Sequence, residues 1–223
     1  MPSFIDEVFD PFYMAASKKP ADYSFGQIFT VPAYYPHQKL DIWRPKTLDA
    51  TLGIASDFNI ITAGNDAFRR LAPYSSPPLK SNEEFIALKA KPRPVILLQP
   101  PDPSLLEIKT AGYSAKVVRH LCPVALIYSA EDEAGNSKFA PDFLNRVRRL
   151  EYGQFLFLPQ GNPMHVDSIA RLDEIQSVAE NQLSATGFSL CEDVREILRS
   201  QVSFFLTGLS GVEFAGWAAL LKE

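Results

Sequence analysis

Proline is concentrated in the middle of this chain, and its distribution limits the folds that the chain can adopt. Ten of the eighteen prolines fall between Pro36 and Pro103. Proline lacks a backbone N–H and disrupts helices, so this region is expected to be extended and rich in turns. Any long helix therefore has to come from the flanking segments.

Short runs of β-branched, aliphatic and aromatic residues predict strands. One strand is expected to begin at Gly26. Residues 94–98 and 123–129 are apolar on both faces, which is typical of central strands. A further strand is predicted at Phe155–Leu158, and residues 164–173 continue with strand-like alternation.

Helical patterns follow the strands. Residues 141–150 repeat apolar side chains with the helical period, and Pro141 suits a first turn. A longer helix is predicted from Ser189, which forms a capping-box pattern with Glu192, to a stop at Gly208. Strands that precede helices, with few crossover helices, indicate a mainly β or α+β domain with an antiparallel sheet.

Composition and charge narrow the function classes. The formal net charge of −4 provides no general attraction for nucleic acid or an anionic membrane. Cys122 and Cys191 lie in apolar surroundings without metal-ligand spacing, which favours reduced thiols in a reducing compartment. The chain starts without a signal-peptide pattern, and no run approaches the ~20 apolar residues that span a bilayer. We therefore expect a soluble, cytoplasmic protein.

One pair of side chains suggests acid–base chemistry. His165 and Asp167 are two residues apart, so a strand would place both on one face. An imidazole and a carboxylate in that arrangement can act as acid and base. The alternative is that both are ordinary polar residues on a half-exposed strand.

Several segments resemble the MazF/PemK/Kid family of toxin endoribonucleases. The matching segments occur in the family's order and cover about half of the chain: residues 26–31, the Arg-Pro run at 91–98, residues 122–129 and residues 166–173. The resemblance implies an SH3-like antiparallel β-barrel with a C-terminal helix, in a domain over residues 26–223. Residues 1–25 would be an N-terminal extension, and residues 37–92 a large insertion between the first and second main strands.

The resemblance also implies a function. The family cleaves single-stranded RNA without a metal ion, so neither metal nor cofactor is expected. Its members are homodimers that pair with an antitoxin protein, and both partners are expectations here.

Site residues carry over position by position. Asp167 falls on the aspartate that acts as base, and His165 falls on an arginine that acts as acid. Ser129 falls on a substrate-contacting pair, Arg93 on the arginine of the Arg-Pro signature, and His37 near a loop histidine. These last three residues are expected to hold phosphate. Each also has a structural alternative, as a strand-end or loop residue that bonds locally.

The sequence departs from the family pattern in two places. The segment from His37 to Pro92 has 56 residues, far more than the family's loop, and its eight basic residues against six acidic ones give it a charge of +2. Histidine replaces arginine at position 165, and imidazole is only partly protonated near neutral pH. Two other functions therefore stay open: a non-catalytic protein- or nucleic-acid-binding module on the same barrel, and a structural protein whose insertion fills the groove.

Overall fold

The computed structural model describes residues 3–35, 39–49, 51–69, 73–101, 120–132 and 134–221. The chain forms two compact units. The main unit comprises residues 1–33 and 92–223, and the inserted unit comprises residues 34–91.

The described residues contain ten strands. They are β1 (Tyr13–Ala15), β2 (Gln27–Tyr34), β3 (Asp41–Asp49), β4 (Ile54–Thr62), β5 (Phe85–Ala87), β6 (Ala90–Leu97), β7 (Leu121–Ser129), β8 (Phe155–Leu158), β9 (Ser168–Ala179) and β10 (Ser184–Leu190).

Seven of these strands form one sheet in the order β1-β10-β2-β6-β7-β9-β8. The pairs β1–β10, β10–β2, β6–β7, β7–β9 and β8–β9 are antiparallel. The mainly β fold predicted from the sequence is therefore confirmed. The edge strands approach each other, since Tyr13 of β1 donates a hydrogen bond of 2.8 Å to the Pro159 carbonyl just after β8. No backbone ladder joins β1 to β8 in the described residues, and the SH3-like barrel stays a prediction.

Alternate residues of the central strands face two separate apolar clusters. In β2, Ile28 belongs to the first cluster, whereas Phe29 and Val31 belong to the second. In β6, Ile96 belongs to the first cluster and Val95 to the second. All five side chains are almost inaccessible to solvent. The centre of the sheet is therefore buried on both faces, as its continuous apolar runs predict.

Four helices of the described residues supply side chains to the first cluster. They are α1 (Ile5–Val8), α2 (Pro141–Arg148), α3 (Glu192–Thr207) and α4 (Val212–Leu220). Each contributes buried residues, among them Ile5, Val147, Ile197 and Phe214. The helical face predicted for residues 141–150 is thus the face that packs on the sheet.

The predicted end of helix α3 is confirmed, but its predicted start is wrong. Gly208 follows the last turn with φ of +74°, the left-handed conformation that glycine adopts most readily. The capping box between Ser189 and Glu192 is wrong, because Ser189 lies in β10 and pairs with Met14 of β1. Cys191 is the N-cap, and it forms no side-chain capping bond. Pairing with β1 therefore extends strand β10 to within one residue of the cap.

None of the helices in the described residues is, by itself, long and apolar enough to cross a bilayer. Helices α3 and α4 reach the required length and composition only when taken together, and a bend of 109° separates them.

The inserted unit has a three-stranded antiparallel sheet in the order β4-β3-β5. Trp43 on the central strand packs against Phe58 of β4 and Phe85 of β5, with ring centroids 4.4 and 6.0 Å away. Arg44 forms ion pairs with Asp66 and Glu84. An aromatic cluster and an ion-pair network therefore stabilise this unit.

Candidate functional site

Three of the predicted site residues lie close to one another: Ser129 ends β7, Asp167 immediately precedes β9, and Arg93 lies in the first half of β6. Ser129 is opposite Ser168 in the β7–β9 ladder, and the backbone N–H of Ala130 donates to the Asp167 carbonyl at 2.8 Å. Arg93 of β6 lies over the ring of Tyr128, 4.4 Å from its centroid. We call this region the β6–β7–β9 end. It brings together segments that are far apart in the sequence.

Asp167 closes the loop between β8 and β9. Its Oδ1 atom accepts a hydrogen bond of 2.7 Å from the backbone N–H of Gln160, and its side chain is otherwise exposed. The prediction that His165 and Asp167 share a strand face is wrong, because β9 begins at Ser168. Burial, together with the nearby charge of Asp167, raises the pKa of the Tyr13 hydroxyl. The bond from Gln160 anchors one side of the Asp167 carboxylate, and the other side is open to solvent.

His165 lies in the same loop and is exposed. Across the described residues, no hydrogen bond or ion pair joins its imidazole to Asp167. The two side chains therefore do not form a bonded acid–base pair. They would have to meet through a substrate that lies between them.

The side chain of Ser129 is already bonded locally. Its hydroxyl donates to the Glu131 carbonyl and accepts from the Glu131 backbone N–H at 3.2 Å. The Ser129 carbonyl accepts a hydrogen bond from Lys138 Nζ at 3.4 Å. These bonds turn the chain sharply after β7 and bring a lysine ammonium group to the β6–β7–β9 end.

A charged cluster beside Tyr128 was not predicted from the sequence. The Tyr128 hydroxyl donates to Glu174, and Arg171 pairs with Glu174 and with Asp173, each at 2.6 Å. Burial and then the hydrogen bond to Glu174 raise the pKa of Tyr128 to about 12. Arg93 and Arg171 both lie close to the Tyr128 ring, with guanidinium carbons 4.4 and 5.6 Å from its centroid.

An irregularity in the β7–β9 ladder produces this cluster. Leu126 pairs with Arg171 but the adjacent Ala125 pairs with Ile175, so three residues of β9 have no partner on β7. A bulge of this kind re-aims the side chains that it contains. Glu174 reaches Tyr128 for this reason, and no local sequence pattern indicates such a bulge.

His37, the fifth predicted residue, lies outside the described residues. Within the described residues, no group of three His, Cys, Asp or Glu side chains could hold a metal ion.

Comparison with known proteins adds no assignment. No protein-family model matches the chain, and no curated protein matches its sequence.

The β6–β7–β9 end combines groups suited to a phosphodiester. Asp167 offers an exposed carboxylate as a proton acceptor, and His165 offers an exposed imidazole. Arg93 provides a cation stacked on an aromatic ring, and Lys138 provides a second cation nearby. Arginine and lysine are the side chains that bind phosphate most strongly.

Proposed function

We propose that the chain is a metal-independent endoribonuclease that acts on single-stranded RNA at the β6–β7–β9 end. The observation that carries the proposal is the convergence of Arg93, Ser129 and Asp167, which come from three segments far apart in the sequence. The family resemblance of these segments supports the same activity. The Arg93 guanidinium, which is stacked on the Tyr128 ring, offers a plane on which an unpaired base can stack.

The proposed reaction uses the open side of Asp167. Its free carboxylate oxygen removes the proton from a ribose 2′-OH, and the 2′-oxygen forms a bond to phosphorus. The bond from phosphorus to the 5′-oxygen breaks, and His165 donates the proton that this oxygen requires. Arg93 and Lys138 offset the charge that develops on the phosphate. The products are a 2′,3′-cyclic phosphate and a 5′-hydroxyl.

Asp167→Asn is the most informative variant. The amide oxygen of asparagine can still accept from the Gln160 N–H, so the loop is expected to stay closed. Loss of a positioned general base lowers the rate by roughly a hundredfold or more. The assay incubates mixed-sequence RNA with the purified protein in EDTA and measures cyclic-phosphate ends.

Substitutions of His165, the proposed acid, test its role, because the family has an arginine at this position. His165→Ala should reduce cleavage, whereas His165→Arg should retain it at alkaline pH if residue 165 acts by charge, since arginine stays protonated there. Glu213→Gln in α4 is an exposed control that should leave the rate unchanged. If the folded protein cleaves no RNA between about pH 5 and pH 9, a range that spans histidine titration, the nuclease proposal is wrong.

A non-catalytic binding module is the second candidate. It is favoured by the hydrogen bonds that Asp167 and Ser129 already make to the backbone, because such bonds are structural roles for the same side chains. In that case RNA or protein binding should persist without cleavage, and Asp167→Asn should bind as wild type does. Fluorescence anisotropy with a labelled single strand separates this outcome from the first.

We propose a second copy of the chain and an antitoxin protein as partners. The corner between α3 and α4 exposes Leu206, Leu209 and Val212, with 67–85% of each side chain accessible. Exposed apolar surface of this kind is typical of an interface. Light scattering that shows a monomer at micromolar concentrations would remove the homodimer.

We place the protein in the cytoplasm. Cys122 and Cys191 are both buried and unpaired, and free thiols of this kind persist in a reducing compartment. RNA as a substrate agrees with that location. Fractionation of cells that express the tagged chain tests it.

A further inference from the structure

The sheet of the inserted unit has one apolar face that is open to solvent. The strand register places Ile60 of β4 and Phe85 of β5 on either side of Trp43, and it places Phe58 beside Pro45. Side chains alternate along a strand and match across a ladder, so these five share one side of the sheet. We call this surface the Trp43 face. It shares no residue with the β6–β7–β9 end.

Much of the Trp43 face is accessible. Ile60 is 64% exposed, and Trp43 is 44% exposed. Phe58 and Phe85 are half-buried and pack against the indole, with ring centroids 4.4 and 6.0 Å from it. The indole is therefore held in position from the side while part of it remains open to solvent. Exposed apolar side chains that cluster in this way are typical of a binding surface.

The charge of the inserted segment favours a polyanion as the ligand. Residues 37–92 carry a charge of +2, and the whole chain carries −4, so taking away this +2 leaves −6 for the rest. Arg44 uses its charge internally, in ion pairs with Asp66 and Glu84. The positive charge that is left on this segment comes from lysines.

Two of these lysines lie near Trp43. Lys39 precedes Asp41 by two residues, and Lys89 follows, by two residues, the β5 residue that pairs with Asp41. Both lysines are exposed, and within the described residues neither forms an ion pair. Asp41 is on the same side of β3 as Trp43, but its carboxylate accepts a hydrogen bond of 3.1 Å from the Thr62 hydroxyl. The aromatic surface therefore has cations beside it.

A single-stranded nucleic acid matches both features. Unpaired bases stack on aromatic side chains, and this stacking tolerates any sequence because every base has a flat π-face. Lysine binds the phosphates that connect the bases. A duplex offers its phosphates but keeps the faces of its bases inside the stack, and an apolar peptide would leave the lysines unmatched.

We propose that the Trp43 face binds single-stranded nucleic acid, with a base stacked on the indole and phosphates held by Lys39 and Lys89. RNA and DNA share this chemistry, and the experiment compares them. The binding does not require the proposed nuclease activity, because the Trp43 face contains none of the residues assigned to cleavage.

Tryptophan fluorescence of the full chain tests the proposal. The chain has two tryptophans, and Trp217 lies in α4 with its ring centroid 5.0 Å from that of Phe9. Trp217→Phe therefore leaves Trp43 as the reporter. The probe is a thymidylate oligonucleotide of about ten nucleotides, which has no 2′-OH and cannot undergo the proposed cleavage. We expect saturable quenching at about 50 mM salt and weaker binding at about 200 mM.

Two further probes define the ligand. A duplex of the same length should bind at least about tenfold more weakly, because its bases cannot stack on the indole. A uridylate oligonucleotide of the same length, measured with Asp167→Asn to suppress cleavage, should also quench Trp43. The tighter of the two single strands identifies the source, and either order supports the proposal.

Ile60 and Ile61 provide a matched pair of variants. They are adjacent in β4, both are exposed, and successive side chains of a strand point to opposite faces. Ile60→Glu places a carboxylate on the Trp43 face and should weaken binding about tenfold or more, because like charges repel. Ile61→Glu adds the same charge on the opposite face and should bind nearly as the wild type does.

The lysines are tested by the salt dependence of binding. Lys39→Gln and Lys89→Gln should each reduce the slope of log affinity against log salt by about 0.7, the value for one phosphate contact on a single strand. Lys46→Gln is the control, because Lys46 is exposed on the opposite side of β3 from Trp43. Trp43→Ala should lower the affinity about tenfold or more through the loss of stacking.

Three results would overturn the proposal. The first is the absence of saturable quenching in a folded Trp217→Phe chain. The second is an equal loss of affinity in Ile60→Glu and Ile61→Glu. The third is a dimer, seen by light scattering, that Ile60→Glu dissociates and Ile61→Glu retains, because a second copy would then cover the Trp43 face. These results are independent of RNA cleavage.

Discussion

Tyr128 shows how strongly a single residue depends on its surroundings. Its hydroxyl ionises at a pKa of about 12 instead of 10, because it is buried and bonded to Glu174. The neutral form is thus favoured in the folded chain. The resulting stability is complete below about pH 10 and is lost as pH rises through about 12.

Replacing Glu174 tests this account. Glu174→Gln removes the negative charge, so the pKa of Tyr128 should fall, but it should stay above 10 because burial is the larger cause. Ultraviolet absorbance of tyrosinate against pH measures the change, and Tyr128→Phe identifies the band. An unchanged pKa in Glu174→Gln would mean that the hydroxyl does not bond to this carboxylate.

At the scale of elements, the glycine that ends helix α3 can be compared with a glycine inside helix α4. Gly208 has φ of +74°, and an added Cβ would meet no atom within 4 Å, so any penalty comes from the backbone alone. Gly208→Ala should lower the free energy of unfolding by about 1 kcal/mol.

Gly216 in α4 is the control, since it also has open space around it but lies within a helix. Gly216→Ala should raise the free energy of unfolding by about 0.5–1 kcal/mol. Urea denaturation measures both. Changes of the same sign in the two variants would show that backbone conformation is not the cause.

An ion pair between Asp6 and Arg148 joins the N-terminal segment to helix α2. Arg148 donates from Nε and Nη2 to the two oxygens of Asp6 at 2.8 and 2.6 Å, and both side chains are mostly buried. The bonds to Asp6 raise the pKa of Arg148. Its guanidinium also lies 3.9 Å from the centroid of the Phe4 ring.

Lysine cannot reproduce this two-pronged contact. Arg148→Lys should therefore lower the free energy of unfolding by about 1–2 kcal/mol. Arg149→Lys should change it by less than about 0.5 kcal/mol, because Arg149 is more exposed and its carboxylate partner, Glu151, is 4.0 Å away. Thermal unfolding of both variants measures these changes. Equal losses of stability in the two variants would contradict a special role for the ion pair between Arg148 and Asp6.

At the scale of the whole molecule, none of the described residues of the inserted unit belongs to the two apolar clusters of the main sheet. The main unit should therefore fold without it. Strands β2 and β6 are neighbours in the sheet, so a short turn can replace residues 34–91. We expect the shortened chain to unfold cooperatively, as followed by circular dichroism. A shortened chain that lacks a cooperative transition would show that the main unit needs the insertion to fold.

Local patterns were enough to predict much of the main unit. The strand at Phe155–Leu158, the helix at Pro141–Arg148 and the stop at Gly208 all agree with the structure. Each depends on side-chain periodicity or on the φ preference of one residue, and both are properties of a few adjacent residues.

Long-range pairing decided the rest. Ser189 became a strand residue because β1 pairs with β10, and Glu174 reaches Tyr128 because of a bulge against β7. His165 and Asp167, which were predicted to lie in a strand, lie in a loop that is closed by the hydrogen bond from the Gln160 N–H. The sequence alone determined the mainly β class and the candidate residues. Only the tertiary structure decided which side chains meet, because partners far apart in the chain leave no local signal.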